Sequence, residues 1–195
     1  MKVYLAGPDV FFPHAAAHAA AKKRICAAHG LEGVFPTDPI ENPAADAADA
    51  HWYAIYLRNE AHIRRCDALI ANLTPFRGPS ADVGTVYELG FMRALGRPIA
   101  GYSNAAPDFL TRSRAATGAT RDAAGHWRDA EGLGLEAFGL VDNLMVDGGI
   151  RAAGGLLAAR DVPPAERWHD LEAFTLCVRA IAARLLANRT GSAHG

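Results

Sequence analysis

Apolar positions along the chain come in two patterns that alternate: short unbroken runs, and longer stretches with three- and four-residue spacing. Residues 2–6 (Lys-Val-Tyr-Leu-Ala) form a short apolar run closed by Gly7-Pro8, which reads as a strand followed by a turn. Residues 15–29 are alanine-rich with basic residues in the middle, a helix ended by Gly30. Residues 31–35 read as a second strand. Pro36, Pro39 and Pro43 make residues 36–45 a loop. Residues 47–66 carry Trp52, Ile55, Tyr56, Asn59, His62 and Ile63 at helical spacing and predict a long helix. Residues 68–73 are apolar except for Asn72, as suits a strand covered on both faces. A helix over 82–95 stops at Gly96, and residues 98–102 form a fourth strand. Between 103 and 138 no clean period survives, and no element is assigned. Residues 141–146 read as a fifth strand or an extended segment, and 148–159 as a helix with a glycine pair. Pro163-Pro164 turn the chain into a last helix over 166–186, leaving 188–195 as an expected disordered tail.

Alternating strands and helices imply an α/β architecture: a doubly wound parallel sheet with helices on both faces, in one domain over residues 1–187. Ligands in such sheets bind outside the carboxyl ends of the strands. Gly7-Pro8-Asp9, Phe35-Pro36-Thr37-Asp38 and residues 74–81 all follow strands, so three loops are expected to converge on one edge.

Composition narrows the function. A length of 195 residues favours one domain with a sizeable core. A net charge of −1 gives no reason to expect a nucleic acid or an acidic membrane as partner. Cys26, Cys66 and Cys177 are far apart and match no metal or disulfide spacing, so they read as small apolar residues of a reducing compartment. No apolar run approaches the roughly 18 residues of a membrane span, and residues 1–8 run straight into structure without a signal segment. The expected location is the cytoplasm.

The stretch 71–96 holds the candidate chemistry. A helical side chain leans over the preceding turn, so Glu88 lies over Gly84. Glycine inside a helix costs up to about 1 kcal/mol against alanine, and open space for a substrate beside the carboxylate is one reason to keep it. A solvated carboxylate with glycines that serve only packing is the other reading. Asp82, on spacing alone, is a helix N-cap. Asn59 and Asn72 read as locally bonded amides, and Tyr4 as a core aromatic. Gly78–Gly84 is neither a P-loop nor a dinucleotide fingerprint. His14 and His18 have helical spacing but no third ligand nearby, so no metal is expected. Ser80 lacks the context of a hydrolase nucleophile.

Taken together, these stretches resemble the nucleoside 2-deoxyribosyltransferase family. The resemblance rests on Val3-Tyr-Leu-Ala-Gly-Pro8, on Asn59 followed by Cys66-Asp67, and on Ala71-Asn-Leu-Thr-Pro-Phe-Arg-Gly78. It continues through Asp82-Val-Gly-Thr-Val-Tyr-Glu-Leu-Gly90 and ends with Asn143-Leu-Met145. It covers residues 1–102 and then a short patch near 145.

The resemblance implies a flavodoxin-like parallel sheet of five strands and a glutamate nucleophile, Glu88. The family aspartate six residues earlier corresponds to Asp82, and the tyrosine of the first strand to Tyr4. The asparagine that holds the 5′-hydroxyl in a neighbouring subunit's site corresponds to Asn143, with Met145 lining the same pocket. The resemblance implies a homo-oligomer built on dimers, with a tetramer or a hexamer as alternatives. Some members carry an aspartate where this chain has Asn59; an amide is no proton donor of that kind, so protonation of the leaving base falls to Asp82 or water. Gly7, Asp9, Phe11 and Asp38 on the converging loops, with Asn59 and Gly84, complete the expected substrate contacts. The implied reaction moves 2-deoxyribose from a deoxynucleoside to a free nucleobase by double displacement, without metal or cofactor. Two other readings compete: an N-glycoside hydrolase of the same superfamily, and a non-catalytic nucleotide-binding module.

Overall fold

Five parallel strands form the centre of the molecule, and the order in which they pair decides where a ligand can bind. The structure is a computed structural model that describes residues 1–40, 50–106 and 108–191. β1 (Lys2–Ala6) pairs with β2 (Glu32–Val34) on one side and β3 (Ala68–Asn72) on the other. β3 pairs with β4 (Ile99–Ser103), and β4 with a short edge strand, Leu157–Ala159. The order runs from β2 through β1, β3 and β4 to that edge strand, the flavodoxin-like arrangement. All five residues of β3 and of β4 are buried, as expected of central strands covered on both faces.

Side-chain alternation splits the core in two. Val3, Leu5, Ile70 and Tyr102 point to one face, where α1 (Ala15–Ala28) and α6 (Glu172–Gly191) supply Cys26, Phe174, Cys177 and Val178. Tyr4, Ala6, Leu69 and Ala71 point to the other. There α2 (His51–Arg65), α3 (Val83–Ala94) and α5 (Leu144–Ala152) supply Ile63, Leu89, Met92 and Ile150. All three cysteines are free and buried, and burial pushes their thiols up, to about 11 for Cys26 and about 12 for Cys66 and Cys177. Among the described residues no helix is long and apolar enough to cross a membrane.

Among the described residues, the first hundred positions fold as expected to within a few residues. Residues 47–49 of the expected long helix, and 41–45 of the expected loop, lie outside the described residues. The unassigned stretch holds α4 (Phe109–Thr117), capped by Asp108, and a small hairpin of β5 (Thr120–Arg121) and β6 (Trp127–Arg128). Beyond it, three expectations need correction. Residues 141–146 are not a strand: Asn143 caps α5, its Oδ1 accepting from the Met145 N–H at 3.0 Å. The helix expected over 148–159 ends early. Gly154 adopts φ 63°, and the chain then passes so close to the sheet that a Cβ on Gly155 would lie 2.1 Å from the Ile99 carbonyl oxygen. The glycine pair is therefore the entry to the fifth strand, β7 (Leu157–Ala159). Finally, α6 begins at Glu172 and runs to Gly191, so residues 188–191 are helical and not a disordered tail.

Candidate active site

Strand order reverses between β1 and β3, and the cleft at their carboxyl ends is where such a fold leaves room for a ligand. A cavity of about 420 Å³ opens there. The loop after β1 contributes Gly7, Val10 and Phe11, and the loop after β2 contributes Pro36 and Thr37. Ile55, Arg58 and Asn59 of α2 form one wall; Asp82, Gly84, Thr85 and Glu88, at the start of α3, form the other. A second cavity of about 380 Å³ adjoins it, sharing Ile55, Asn59, Gly84 and Glu88 and adding the aromatic rings of Trp52, Tyr56 and Tyr87.

Glu88 sits where the two cavities meet. Tyr4, fully buried in β1, donates from its Oη to Glu88 Oε1 at 2.7 Å. Burial pushes the Glu88 carboxyl up to about 7; the Tyr4 hydrogen bond opposes that rise, and the nearby Asp82 charge adds to it. Burial also carries the Tyr4 phenol well above its ordinary value, with the Glu88 charge and hydrogen bond acting the same way. The phenol therefore stays protonated and keeps donating.

Asp82 is the N-cap that its spacing predicts. Its Oδ2 accepts from the Thr85 N–H and from Thr85 Oγ1, both at 3.0 Å. Among the described residues no hydrogen bond engages its Oδ1. Capping thus occupies one carboxylate oxygen and leaves the other available to a ligand. Gly84 lines both cavities beside Glu88.

Phe11 lines the cavity and stacks on Phe76, with ring centroids 5.5 Å apart and planes 11° apart. The Arg77 guanidinium lies 5.0 Å from the Phe11 ring and 4.6 Å from that of Phe76. Arg77 holds this place with φ 56°, unusual for a non-glycine residue. Asn59 also lines the cavity, and its buried Oδ1 has no partner among the described residues.

Two expected contacts fall elsewhere. Asp9 does not line the cavity: it is completely buried, accepting from Asn72 Nδ2 at 3.1 Å and Lys22 Nζ at 3.3 Å, with His18 Nε2 at 2.8 Å. Burial alone would raise its pKa, but the Lys22 charge, then His18 and Asn72, outweigh it and hold the carboxyl low. This cluster sits under the first loop. A Cβ on Gly7 would strike Asp9 Oδ2 at 2.1 Å and Asn72 Cβ at 2.8 Å, so glycine is required there for the loop to close over it. Asp38 likewise turns away. Its Oδ1 accepts from Lys23 Nζ at 2.6 Å and its Oδ2 from the Phe35 N–H at 2.9 Å, and it borders a different cavity with His62 and Arg65.

Asn143 and Met145 do not meet Glu88 within the chain. They border a separate cavity of about 470 Å³ with Val83 and Val86. Asn143 Nδ2 donates to Glu136 Oε1 at 2.5 Å, while Met145 is 75% exposed. Sequence reading missed Arg58, Thr37 and Thr85 as cavity residues. It also missed the Lys22–Asp9 pair, whose one signal was His18 and Lys22 standing four apart on α1. Among the described residues no cluster of three metal-ligating side chains occurs.

The family model described as nucleoside 2-deoxyribosyltransferase matches residues 3–145. A Schizosaccharomyces pombe protein, itself described as uncharacterized, is 34% identical over 94% of this chain and 89% of its own length. Among solved structures, a 2-desoxiribosyltransferase from Leishmania mexicana is 29% identical, with a TM-score of 0.55, over 74% of this chain and 84% of that one. A conserved protein from Enterococcus faecalis, 18% identical, shares the fold over 94% of this chain and 98% of its own, with a TM-score of 0.51.

Proposed function

Since the chain belongs to the nucleoside 2-deoxyribosyltransferase family, we propose that it moves 2-deoxyribose from a 2′-deoxynucleoside to a free nucleobase through a covalent glycosyl-Glu88 intermediate. The observation that carries this reading is Glu88 itself. It is a half-buried carboxylate, held by Tyr4 at 2.7 Å, at the switch point of the sheet, and it faces a cavity beside a residue with no side chain, Gly84.

In the first step the ionised Glu88 carboxylate attacks C1′ while the C1′–N bond breaks, through an oxocarbenium-like transition state. The bonding pair leaves with the base. An ester joins Glu88 to the sugar. A second base then attacks C1′ from the face the first one vacated and returns Glu88 to its carboxylate; two inversions retain the β configuration. The absence of a 2′-hydroxyl favours this route, because that group would withdraw electrons from the developing cation. Tyr4 orients the nucleophile. Asp82 Oδ1 binds the base while Oδ2 holds the helix. Phe11, backed by Phe76, gives the base an apolar face. No step requires a metal or redox cofactor.

Asn143 and Met145 belong, in this reading, to the site of a neighbouring copy in a homo-oligomer, with Asn143 holding the 5′-hydroxyl. Their position outside their own chain's Glu88 cavity supports it. We place the enzyme in the cytoplasm, acting in deoxynucleoside salvage.

Incubating the protein with deoxyinosine, thymidine and adenine, then separating the products, tests the reaction. New deoxyadenosine is expected. Free deoxyribose as the sole product marks an N-glycoside hydrolase instead. Glu88→Ala is expected to abolish exchange with the fold intact, and retained exchange would sink the nucleophile assignment. Mixing Glu88→Ala with Asn143→Ala subunits is expected to restore part of the activity through hybrid oligomers.

A further inference from the structure

The family reaction leaves one chemical question open in this chain. The bonding electrons of C1′–N leave with the base, and something must receive the charge. Asn59, next to the cavity, has no acidic proton to give. One residue before it stands Arg58.

Arg58 lines the Glu88 cavity and is the only cation among the described residues that do so. It is half-buried, and among the described residues it pairs with no carboxylate. Its Nε is buried without a hydrogen-bond partner, as is the Oδ1 of Asn59 beside it. An unpaired guanidinium with an unsatisfied donor is costly in a protein wall unless a ligand completes it. Its charge reaches the catalytic pair, since it counteracts part of the rise of the Tyr4 phenol. Arg58 lines the same cavity as the two carboxylates of α3, so its charge stands in the space that a departing base would occupy.

Resting on the reading above, we propose that Arg58 is a catalytic residue that stabilises the departing base as an anion, in place of a general acid. Glu88 gives an electron pair to C1′, the C1′–N pair passes to the base nitrogen, and the resulting negative charge is held by the Arg58 N–H donors. Asn59 Oδ1 accepts a hydrogen bond from an N–H of the same base and fixes its orientation. The proton that neutralises the base arrives from water after the bond has broken. In the second half, an acceptor base that has given its N–H proton to water is held by the same donors. Bases whose anions are more stable, those with a ring –NH–C(=O)– group, are the preferred substrates.

The test compares leaving groups. Wild type, Arg58→Gln and Arg58→Lys are assayed on 2′-deoxyguanosine and its N7-methyl derivative, and on 2′-deoxyuridine and its 5-fluoro derivative. An N7-methylated purine leaves as a neutral base and needs no anion stabilisation, and 5-fluorouracil is a more stable anion than uracil. Arg58→Gln is expected to lower kcat by about 10²–10³-fold on the unmodified nucleosides, the scale of a lost transition-state donor. The loss should be within about tenfold on the N7-methyl compound and reduced on the 5-fluoro compound. Arg58→Lys should recover part of the rate. Each ratio is read on one protein preparation, so a smaller folded fraction cancels. Equal losses on modified and unmodified nucleosides, or a raised KM with kcat unchanged, would overturn the role of Arg58 while leaving the transferase reading intact. Wild type inactive on all four overturns the transferase reading, and this proposal with it.

Discussion

Tyr4 and Glu88, 84 residues apart in the chain, share a 2.7 Å hydrogen bond in which the buried phenol donates to the carboxylate. That bond opposes the burial that pushes Glu88 up to about 7. Tyr4→Phe removes it and leaves burial and the Asp82 charge unopposed, so the Glu88 pKa rises further. The acid limb of the kcat/KM profile should shift upward by about one pH unit, the scale of one hydrogen bond to a charged group. At pH 6 the rate should fall roughly tenfold more than the fall at pH 9. A pH–rate profile of the two proteins checks it, and an unmoved limb would separate Tyr4 from the ionisation of Glu88.

The raised pKa of Glu88 also has a cost in stability. The folded-state value of about 7 exceeds the ordinary 4.5, so the native state holds the proton more tightly than the unfolded chain. Below the ordinary value both states are protonated and nothing is lost. As the pH rises toward 7, ionisation costs the folded state progressively more, to about 3–4 kcal/mol as an upper bound at about 1.4 kcal/mol per unit. Glu88→Gln removes that cost. Its melting temperature should match wild type at pH 4 and exceed it at pH 8, although its exchange activity is gone.

Asp82 caps α3 through one oxygen, and two substitutions separate that cap from the proposed contact with the base. Asp82→Ala removes the cap from α3 and should cost about 1 kcal/mol of stability. Asp82→Asn keeps a good capping oxygen, so its stability should stay within about 0.5 kcal/mol of wild type. If the carboxylate contacts the base as proposed, exchange should nonetheless fall at least about tenfold. Full exchange by the asparagine variant would return Asp82 to capping alone.

Beneath the first loop, Lys22 is 0% exposed and pairs with the equally buried Asp9. Its ammonium also lies 4.8 Å from the Phe174 ring. Lys22→Met leaves a buried carboxylate short of its cation and should destabilise the protein by about 3–5 kcal/mol in urea titrations. Adding Asp9→Asn should recover part of that loss. Because Asp9 has a depressed pKa, its contribution in wild type is present above the ordinary carboxylate range and is lost as the pH falls through the depressed value.

Local order was legible where it has a local cause. The apolar run of β3, the cap at Asp82 and the glycine stop after α3 announce themselves in a few adjacent residues, and the described part of the first hundred residues follows. Residues 141–146 read as a fifth strand or an extended segment, whereas a single side-chain cap on the Met145 N–H makes Asn143 the start of a helix. The Gly154-Gly155 pair looked like a flaw in a helix and is instead the entry to β7, required by the nearness of Ile99.

The resemblance to a known family implied the flavodoxin-like form and most of the site residues; from the pattern of the chain itself came the strand–helix alternation and a parallel sheet with helices on both faces. Those depend on periods of two and of 3.6 residues, which a chain carries within itself. Which of those side chains meet was settled only by the packing of distant segments. Tertiary structure joined Tyr4 to Glu88, kept Phe11 and Asn59 in the cavity, and turned Asp38 outward. It buried Asp9 on Lys22, because a carboxylate out of water must find a cation and one stood 13 residues further on. It also put Arg58, which no motif had singled out, in the same cavity as the two carboxylates.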